Sequence, residues 1–218
     1  MNITKIGLSA CAVAALLAGT TACTDEGAGT AERAAHQSGA ACTGGAYTWF
    51  DIDARDVLTG VAEKQKLGKG GGALTHELSP LHAPVTAVIF EKGPRVDPGA
   101  ALGSLGTRIG ETDAAEGVVH EFTDVHRPAP KLDSATTRVE GAGTFVEYAW
   151  VREVTADFRY ICGDGKRATG RAVGWTVDGS GTLECSTPIP DAKTGEPAPE
   201  AARLSCGPNS PAARAKRA

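Results

Sequence analysis

The chain of 218 residues has no excess of positive charge, since its formal net charge is -4. Nucleic-acid-binding domains usually carry a basic surface, so we expect no nucleic-acid partner. Aromatic residues make up only 5% of the chain, enough for one modest hydrophobic core. After residue 22 no apolar run approaches the roughly 20 residues that a membrane-spanning helix needs.

Several catalytic motifs are also missing from the sequence. No Gly-x-Ser-x-Gly pattern occurs, although His120, Asp124 and a serine could in principle form a hydrolytic triad. Two glycine-rich segments, 68–73 and 163–168, match a loose phosphate-loop pattern but precede no clear helix, so we predict loops there. No Cys-x-x-Cys spacing indicates a metal-thiolate centre. We therefore predict no cofactor.

The first 22 residues have the composition of an export signal. Lys5 precedes an apolar run from Ile6 to Ala18, and small residues follow up to Ala22. A charged start, a short apolar segment and a small-residue exit are typical of a secretion signal. The alternatives are a plain secretory signal cut elsewhere and a retained helix, for which the run is short.

Cys23 follows this segment directly, in the sequence Leu16-Leu17-Ala18-Gly19-Thr20-Thr21-Ala22-Cys23. The stretch resembles the lipobox of bacterial lipoproteins, with Thr20 at the position usually held by leucine. The resemblance implies that Cys23 becomes the first residue after cleavage and carries a lipid such as palmitate. Acyl chains bind bilayers with about 0.8 kcal/mol per buried methylene. The implied location is the extracytoplasmic face of the cell membrane.

Four further cysteines predict two disulfides in an oxidising compartment: Cys42, Cys162, Cys185 and Cys206. Three connectivities are open. We favour Cys162–Cys185 together with Cys42–Cys206, which would close almost the whole domain into one loop. The first bridge requires the strands that carry its two cysteines to be neighbours, because a disulfide spans at most about 7 Å between Cα atoms.

Short segments rich in β-forming residues, separated by glycine and proline, predict a mainly β fold. We expect a single antiparallel domain, a sandwich or rolled sheet with one or two short helices, over residues 42–206. Asp97-Pro98 predicts the start of one helix, and glycines predict turns at 141–143 and 178–181. Residues 1–22 form the signal, 23–41 a disordered tether and 207–218 a disordered tail.

Four of the five histidines fall in two matching seven-residue segments, 76–82 and 120–126. If the segments paired antiparallel, His76 would meet His126 and His82 would meet His120. Histidine is a common zinc ligand, so these four residues are candidate metal ligands. This alternative hypothesis is a metal-binding protein or a metal-dependent hydrolase, although Pro80 disfavours a regular central strand there.

Four large aromatic side chains are candidate ligand contacts: Trp49, Tyr148, Trp150 and Trp175. Tyr148 and Trp150 have the same strand parity and should share one face. Exposed tryptophan and tyrosine often mark binding surfaces, whereas buried ones belong to the core. Both interpretations are open from the sequence.

The spacing of Cys42, the aromatic strands and the three later cysteines resembles exported lipoproteins of unknown function from high-GC actinobacteria. The resemblance implies no activity. We therefore predict a lipid-anchored extracytoplasmic protein without catalytic activity. It contacts the membrane through its lipid and binds a ligand or a partner of the cell envelope.

Overall fold

The computed structural model describes residues 42, 44–111, 121–132, 137–191, 193 and 195–214. The predicted signal, Cys23 and the whole predicted tether lie outside these residues, as does His120. In the described ranges no helix has both the length and the apolar character needed to cross a membrane.

Eight strands and two α-helices form the described part of the chain. The strands are β1 (Ala46–Ala62), β2 (Gln65–Leu67), β3 (Gly72–Ala73), β4 (Leu78–Pro80), β5 (Ala87–Lys92), β6 (Arg138–Val139), β7 (Gly143–Ile161) and β8 (Arg167–Glu184). The helices are α1 (Pro98–Ile109) and α2 (Pro197–Ser205), with short 3₁₀ turns at Glu121–Thr123 and Pro211–Ala213. The predicted mainly β, antiparallel, disulfide-stabilised fold is confirmed.

The main sheet is antiparallel and has the strand order β4-β1-β7-β8-β5, with β2 also paired to β7. Strands β1, β7 and β8 contain 17, 19 and 18 residues. At about 3.3 Å per residue, each of them is roughly 55–60 Å long. The other described sheet is only the two-stranded ribbon β3-β6. Helices and connecting segments therefore cover the main sheet.

The prediction that glycines at 141–143 and 178–181 form hairpin turns is wrong. Strand β6 pairs with β3 and not with β7, and residues 178–181 lie inside β8. The glycines of β8 are instead sites of close packing, because large side chains of β7 lie across them. A Cβ atom on Gly179 would be 2.6 Å from the Trp150 ring, and one on Gly181 would collide with Tyr148.

Replacing Gly179 with alanine is expected to lower the free energy of unfolding by about 1–3 kcal/mol, because the new methyl group overlaps the Trp150 ring. Urea unfolding measures the change. Gly68→Ala is the matched control, since no atom lies within 4 Å of its added Cβ. The control should change stability by less than about 0.5 kcal/mol. Equal effects of the two substitutions would contradict this packing role.

Helix α1 covers one face of the sheet. It begins as predicted, with the Asp97 side chain accepting a hydrogen bond from the Ala100 N–H at 2.7 Å and proline in the first turn. Its buried leucines, Leu102 and Leu105, pack in one cluster with Val154 and Ala156 of β7. The helix ends at Gly110, whose φ of 80° is left-handed and suits glycine.

Helix α2 packs near the opposite end of β7. Ala201 and Ala202 are fully buried in a cluster with Val146 and Leu183. Ala212 joins this cluster and its N–H donates to the Cys185 carbonyl. Within the predicted tail, the turn Pro211–Ala213 therefore packs on the domain through Ala212, a contact that its small-residue composition did not indicate.

All four predicted disulfide cysteines are bridged, but the favoured connectivity is wrong. The bridges are Cys42–Cys162 and Cys185–Cys206. Cys162 follows the end of β7 and Cys185 follows the end of β8. Because these strands are antiparallel neighbours, their carboxyl ends lie at opposite ends of the sheet, roughly 55 Å apart. No disulfide could join them.

Candidate functional site

A groove of about 830 Å³ lies between β1 and α2. Its volume is within the usual range for ligand sites, roughly 300–1,000 Å³. The lining residues are Arg55, Asp56, Val57, Leu58, Leu81, His82, Glu153, Lys193, Gly195, Glu196, Glu200 and Leu204.

The two long walls of the groove follow regular backbone. One wall consists of four consecutive residues of β1, Arg55 to Leu58. The other wall consists of Glu196, Glu200 and Leu204. Glu196 caps the start of α2, and the spacing of four residues places all three side chains on one face of the helix. The groove therefore runs along both elements.

The segment 81–86 contributes Leu81 and His82 to the lining of the groove. It connects β4, at the β1 edge of the sheet, to β5, at the β8 edge, and so must cross one face. The N–H groups of Leu81 and His82 both donate to the Thr59 carbonyl, at 2.9 and 3.3 Å. This turn directs the His82 ring toward β7.

Glu153 of β7 is a buried carboxylate in this groove, with 7% of its side chain exposed. His82 Nε2 lies 2.5 Å from Glu153 Oε1, and an Arg55 guanidinium nitrogen lies 3.9 Å from Oε2. A buried charge is costly unless it is paired and hydrogen-bonded. His82 therefore stabilises the carboxylate, and the imidazole nitrogen donates the hydrogen bond.

Sequence reasoning selected His82 for a different role and missed Glu153. The available signal was the adjacent charged pair Arg152 and Glu153, which lies between Val151 and Val154 in β7. Successive strand residues face opposite sides, so one of the two charges must face inward. Which partner reaches it depends on the path of residues 81–86, which the local sequence does not define.

Replacing His82 with alanine is expected to lower the free energy of unfolding by about 1–3 kcal/mol, because Glu153 loses its short hydrogen bond while staying buried. Urea unfolding at neutral pH measures the loss. Arg55→Ala is the matched control: Arg55 is 66% exposed and more distant from the carboxylate. It should cost less than about 1 kcal/mol. A larger effect at Arg55 than at His82 would contradict the assignment.

The charged groups around the groove are largely paired with one another. Four carboxylates line it, from Asp56, Glu153, Glu196 and Glu200, against the two permanent cations Arg55 and Lys193. Two of the carboxylates are paired with arginines outside the lining. Arg152 contacts both oxygens of Asp56, at 2.8 and 3.2 Å, and this contact raises the pKa of Arg152. Arg203 contacts Glu200 at 2.6 Å.

The predicted pairing of the two histidine segments does not form among the described residues. Strand β4 pairs with β1 instead. His76 Nδ1 donates to the Glu63 carbonyl at 3.0 Å, and the His126 N–H donates to Asp124 Oδ1 at 2.8 Å. In the part of the chain that the structure describes, no three His, Cys, Asp or Glu side chains form a metal-binding group.

The four candidate aromatic residues occupy separate environments. Trp49 stacks on Tyr47 in the core, and its indole N–H donates to Ser104 Oγ at 3.1 Å. Trp175 is 2% exposed. The guanidinium carbon of Arg127 lies over its indole ring, 3.2 Å from the ring centroid. Tyr148 packs against the α2 cluster.

Trp150 lines a smaller cavity of about 240 Å³ with Thr59 and Lys131. None of the four aromatic residues lines the groove between β1 and α2. The interpretation of a shared aromatic binding patch is therefore not supported by their positions.

Burial raises the pKa of Tyr47 to about 12, and the nearby Tyr160 and Asp97 add to the effect. The free tyrosine pKa is about 10, so the folded state retains a proton that the unfolded chain loses. This contribution to stability is complete below about pH 10 and is lost as pH rises toward 12. Alkaline titration by ultraviolet absorbance should show a late step, to which Tyr148 contributes because burial raises its pKa as well. Tyr47→Phe should reduce the amplitude of this step, and an unchanged amplitude would contradict the assignment.

Comparison of the chain with protein-family models, with curated proteins and with solved structures gave no match.

Proposed function

We propose that this chain is an exported lipoprotein, anchored through a lipid on Cys23, whose folded domain binds a ligand in the groove between β1 and α2 without catalysis. The observation that carries the proposal is the buried, paired Glu153 carboxylate at the floor of an open groove. A folded domain keeps such a costly group where it has a structural or recognition role.

The composition of the groove supports ligand binding. Apolar side chains of β1, the crossing segment and α2 contribute to its walls, and two of these are unusually exposed for leucine. Leu81 is 48% exposed and Leu204 is 51% exposed. Apolar walls with a small number of convergent polar groups are typical of ligand sites.

The same lining supports binding rather than covalent catalysis. Among the residues that the structure describes, the lining includes no serine, threonine or cysteine. His82 Nε2 is hydrogen-bonded to Glu153 Oε1, which orients the imidazole ring. The polar groups are therefore suited to recognition of a ligand by charge and hydrogen bonding.

An extracytoplasmic location is supported by the two disulfides of the folded domain, which persist in oxidising compartments. With the lipid at Cys23, residues 23–41 would connect the domain to the membrane. The ligand is then expected to come from the cell envelope or from outside the cell.

Metabolic labelling with palmitate tests the anchor. The full chain produced in a lipoprotein-processing bacterium should incorporate label and fractionate with membranes. Cys23→Ser should abolish both, whereas Cys11→Ser should leave both unchanged. Unlabelled wild-type protein would overturn the lipoprotein part of the proposal.

Nuclear magnetic resonance with benzylamine as the probe tests the groove, since this molecule joins a cation to an apolar ring. Titration of the mature chain should shift the amide signals of Leu58, Leu81 and Leu204. Leu204→Ala should weaken binding, whereas Ile89→Ala, an equally exposed residue on the opposite sheet edge, should not. Shifts that are absent or located elsewhere would overturn the proposed site.

A further inference from the structure

We propose that the end of the sheet at which the chain enters the domain, beside Cys42, lies on an anionic lipid bilayer. This inference rests on the proposed function, because the lipid on Cys23 would bring the domain to that membrane. It goes further by assigning a second membrane contact to the folded domain itself. The occupant is the headgroup layer of the membrane that carries the anchor.

Four strands terminate together at this end. In the antiparallel register, Ala46 at the start of β1 and Arg167 at the start of β8 both pair with Ile161, the last residue of β7. Strand β5 ends beside them at Lys92, which pairs with Thr169. We call these termini and their connecting loops, residues 42, 44–48, 92–96 and 159–169, the Cys42 end.

The Cys42 end is basic in an acidic chain. Its single carboxylate, Asp164, pairs with Lys166 at 2.8 Å. It also contains five exposed cations: Lys92, Arg95, Arg159, Lys166 and Arg167. Its formal charge is therefore +4, whereas the total for the chain is -4. Apart from Lys166, none of these cations forms an ion pair among the described residues.

The carboxylates closest to the Cys42 end act on other groups. Asp157 binds Arg171 at 2.6 Å, and Glu91 and Asp51 lie close enough to act on the same guanidinium. Asp97 accepts the hydrogen bond that caps α1. Four basic side chains of the Cys42 end are therefore left to interact with anions outside the domain. Anionic lipid headgroups attract such clusters of lysine and arginine next to a membrane anchor.

An apolar side chain accompanies these charges. Ile161 is 44% exposed and lies in the same row of the sheet as Arg167. Binding at a membrane interface combines buried apolar area with attraction to anionic lipids. The Cys42 end therefore carries both chemical features of an interfacial contact.

The position of the proposed anchor selects this end. The bridge to Cys162 and the hydrogen bond from the Cys42 N–H to the Arg95 carbonyl, at 3.1 Å, fix the entry of the chain here. Only residues 23–41 separate Cys42 from the lipid on Cys23. A linked second contact benefits from a high effective concentration. The lipid would therefore raise the local concentration of headgroups most strongly at the Cys42 end.

This orientation also places the groove between β1 and α2. Along β1, the distance from Ala46 to Arg55 is about 30 Å at 3.3 Å per residue. With the Cys42 end on the headgroups, the groove would open above the membrane surface and be accessible to ligands.

Nuclear magnetic resonance with lipid nanodiscs tests the contact. The sample is the mature chain with Cys23→Ser, so the result does not depend on an anchor. The nanodiscs contain phosphatidylglycerol and a gadolinium-chelating lipid, which broadens the signals of nearby amides. We expect broadening at Ala46, Ile161 and Gly165, and none at Leu58 or Leu204. Phosphatidylcholine in place of phosphatidylglycerol should weaken binding at least about tenfold, and so should about 0.5 M salt.

Paired charge variants locate the contact. Arg159→Gln with Arg167→Gln should weaken binding at least about tenfold, because each cation near an anionic surface adds to the attraction. Lys64→Gln with Lys66→Gln is the matched control. Both lysines are exposed, and Lys66 pairs with Thr144 at the start of β7, at the opposite end of the sheet. The control should bind as the parent chain does, and equal losses from the two pairs would overturn the inference.

Failure of the anchor and failure of this contact give different results. Palmitate incorporation without nanodisc binding would overturn the contact and leave the proposed anchor in place. Nanodisc binding through the Cys42 end without palmitate incorporation would support the contact and overturn the anchor. Broadening centred elsewhere on the domain would overturn the inference. Binding to soluble polyglutamate but not to nanodiscs would also overturn it, because the partner would then be an anionic polymer.

Discussion

Replacing Phe158 with alanine is expected to lower the free energy of unfolding by about 3–5 kcal/mol. Phe158 is fully buried in β7, and its ring contacts the rings of Tyr47, Trp49 and Phe90. Gly170 of β8 lies beneath it, and a Cβ atom there would be 2.8 Å from the Phe158 ring. The side chain therefore contacts three other strands, β1, β5 and β8, and its removal leaves a cavity at the centre of the aromatic core. Urea unfolding measures the loss.

Phe50→Ala is the matched control for this prediction. Phe50 lies on β1 opposite Asp157, one residue before Phe158, but it is 41% exposed. Its removal should change the free energy of unfolding by less than about 1 kcal/mol, because little apolar area returns to water. Comparable losses at the two phenylalanines would contradict the placement of the core on the α1 side of the sheet.

The second large effect is expected from the Cys42–Cys162 bridge. Its cysteines are 120 residues apart, whereas Cys185 and Cys206 are 21 apart. In the chain-entropy model, a bridge that closes a longer loop restricts the unfolded chain more. We therefore expect removal of Cys42–Cys162 to lower the free energy of unfolding by about 1.5 kcal/mol more than removal of Cys185–Cys206. The loss from Cys42→Ala with Cys162→Ala should be at the upper end of the usual 2–5 kcal/mol.

Paired alanine variants at the two bridges provide the comparison, with urea unfolding under non-reducing conditions as the measurement. Mass spectrometry of unreduced proteolytic fragments gives the connectivity directly. A fragment that joins Cys162 to Cys185 would contradict the fold, because β7 and β8 place these residues at opposite ends of the sheet.

Local sequence features predicted the parts of the fold that local chemistry determines. Asp97 followed by Pro98 gave the start of α1, since the cap and the proline act within one turn. The antiparallel β class followed from strand-forming segments. The length of β8 did not, because Gly179 and Gly181 indicate turns in isolation. Only the positions of Trp150 and Tyr148 on β7 explain why glycine is required there.

The candidate site was less predictable than the fold. His82 and Glu153 are 71 residues apart in sequence, and they meet because residues 81–86 cross the sheet. The sequence drew attention to His82 through a repeated segment whose two copies do not pair. Among the described residues, 46–58 of β1 pair with β7 alone. This is likewise a property of strand order, and no pattern within β1 indicates it.

The bridge between Cys42 and Cys162 also determines how the domain responds to mechanical force. Tension applied from the amino-terminal side reaches Cys42 before it reaches β1. Because Cys42 is covalently joined to the end of β7, the load passes to a strand paired on both sides, and β1 is not peeled from the sheet. A domain tethered at that end could therefore withstand shear while its groove stays intact.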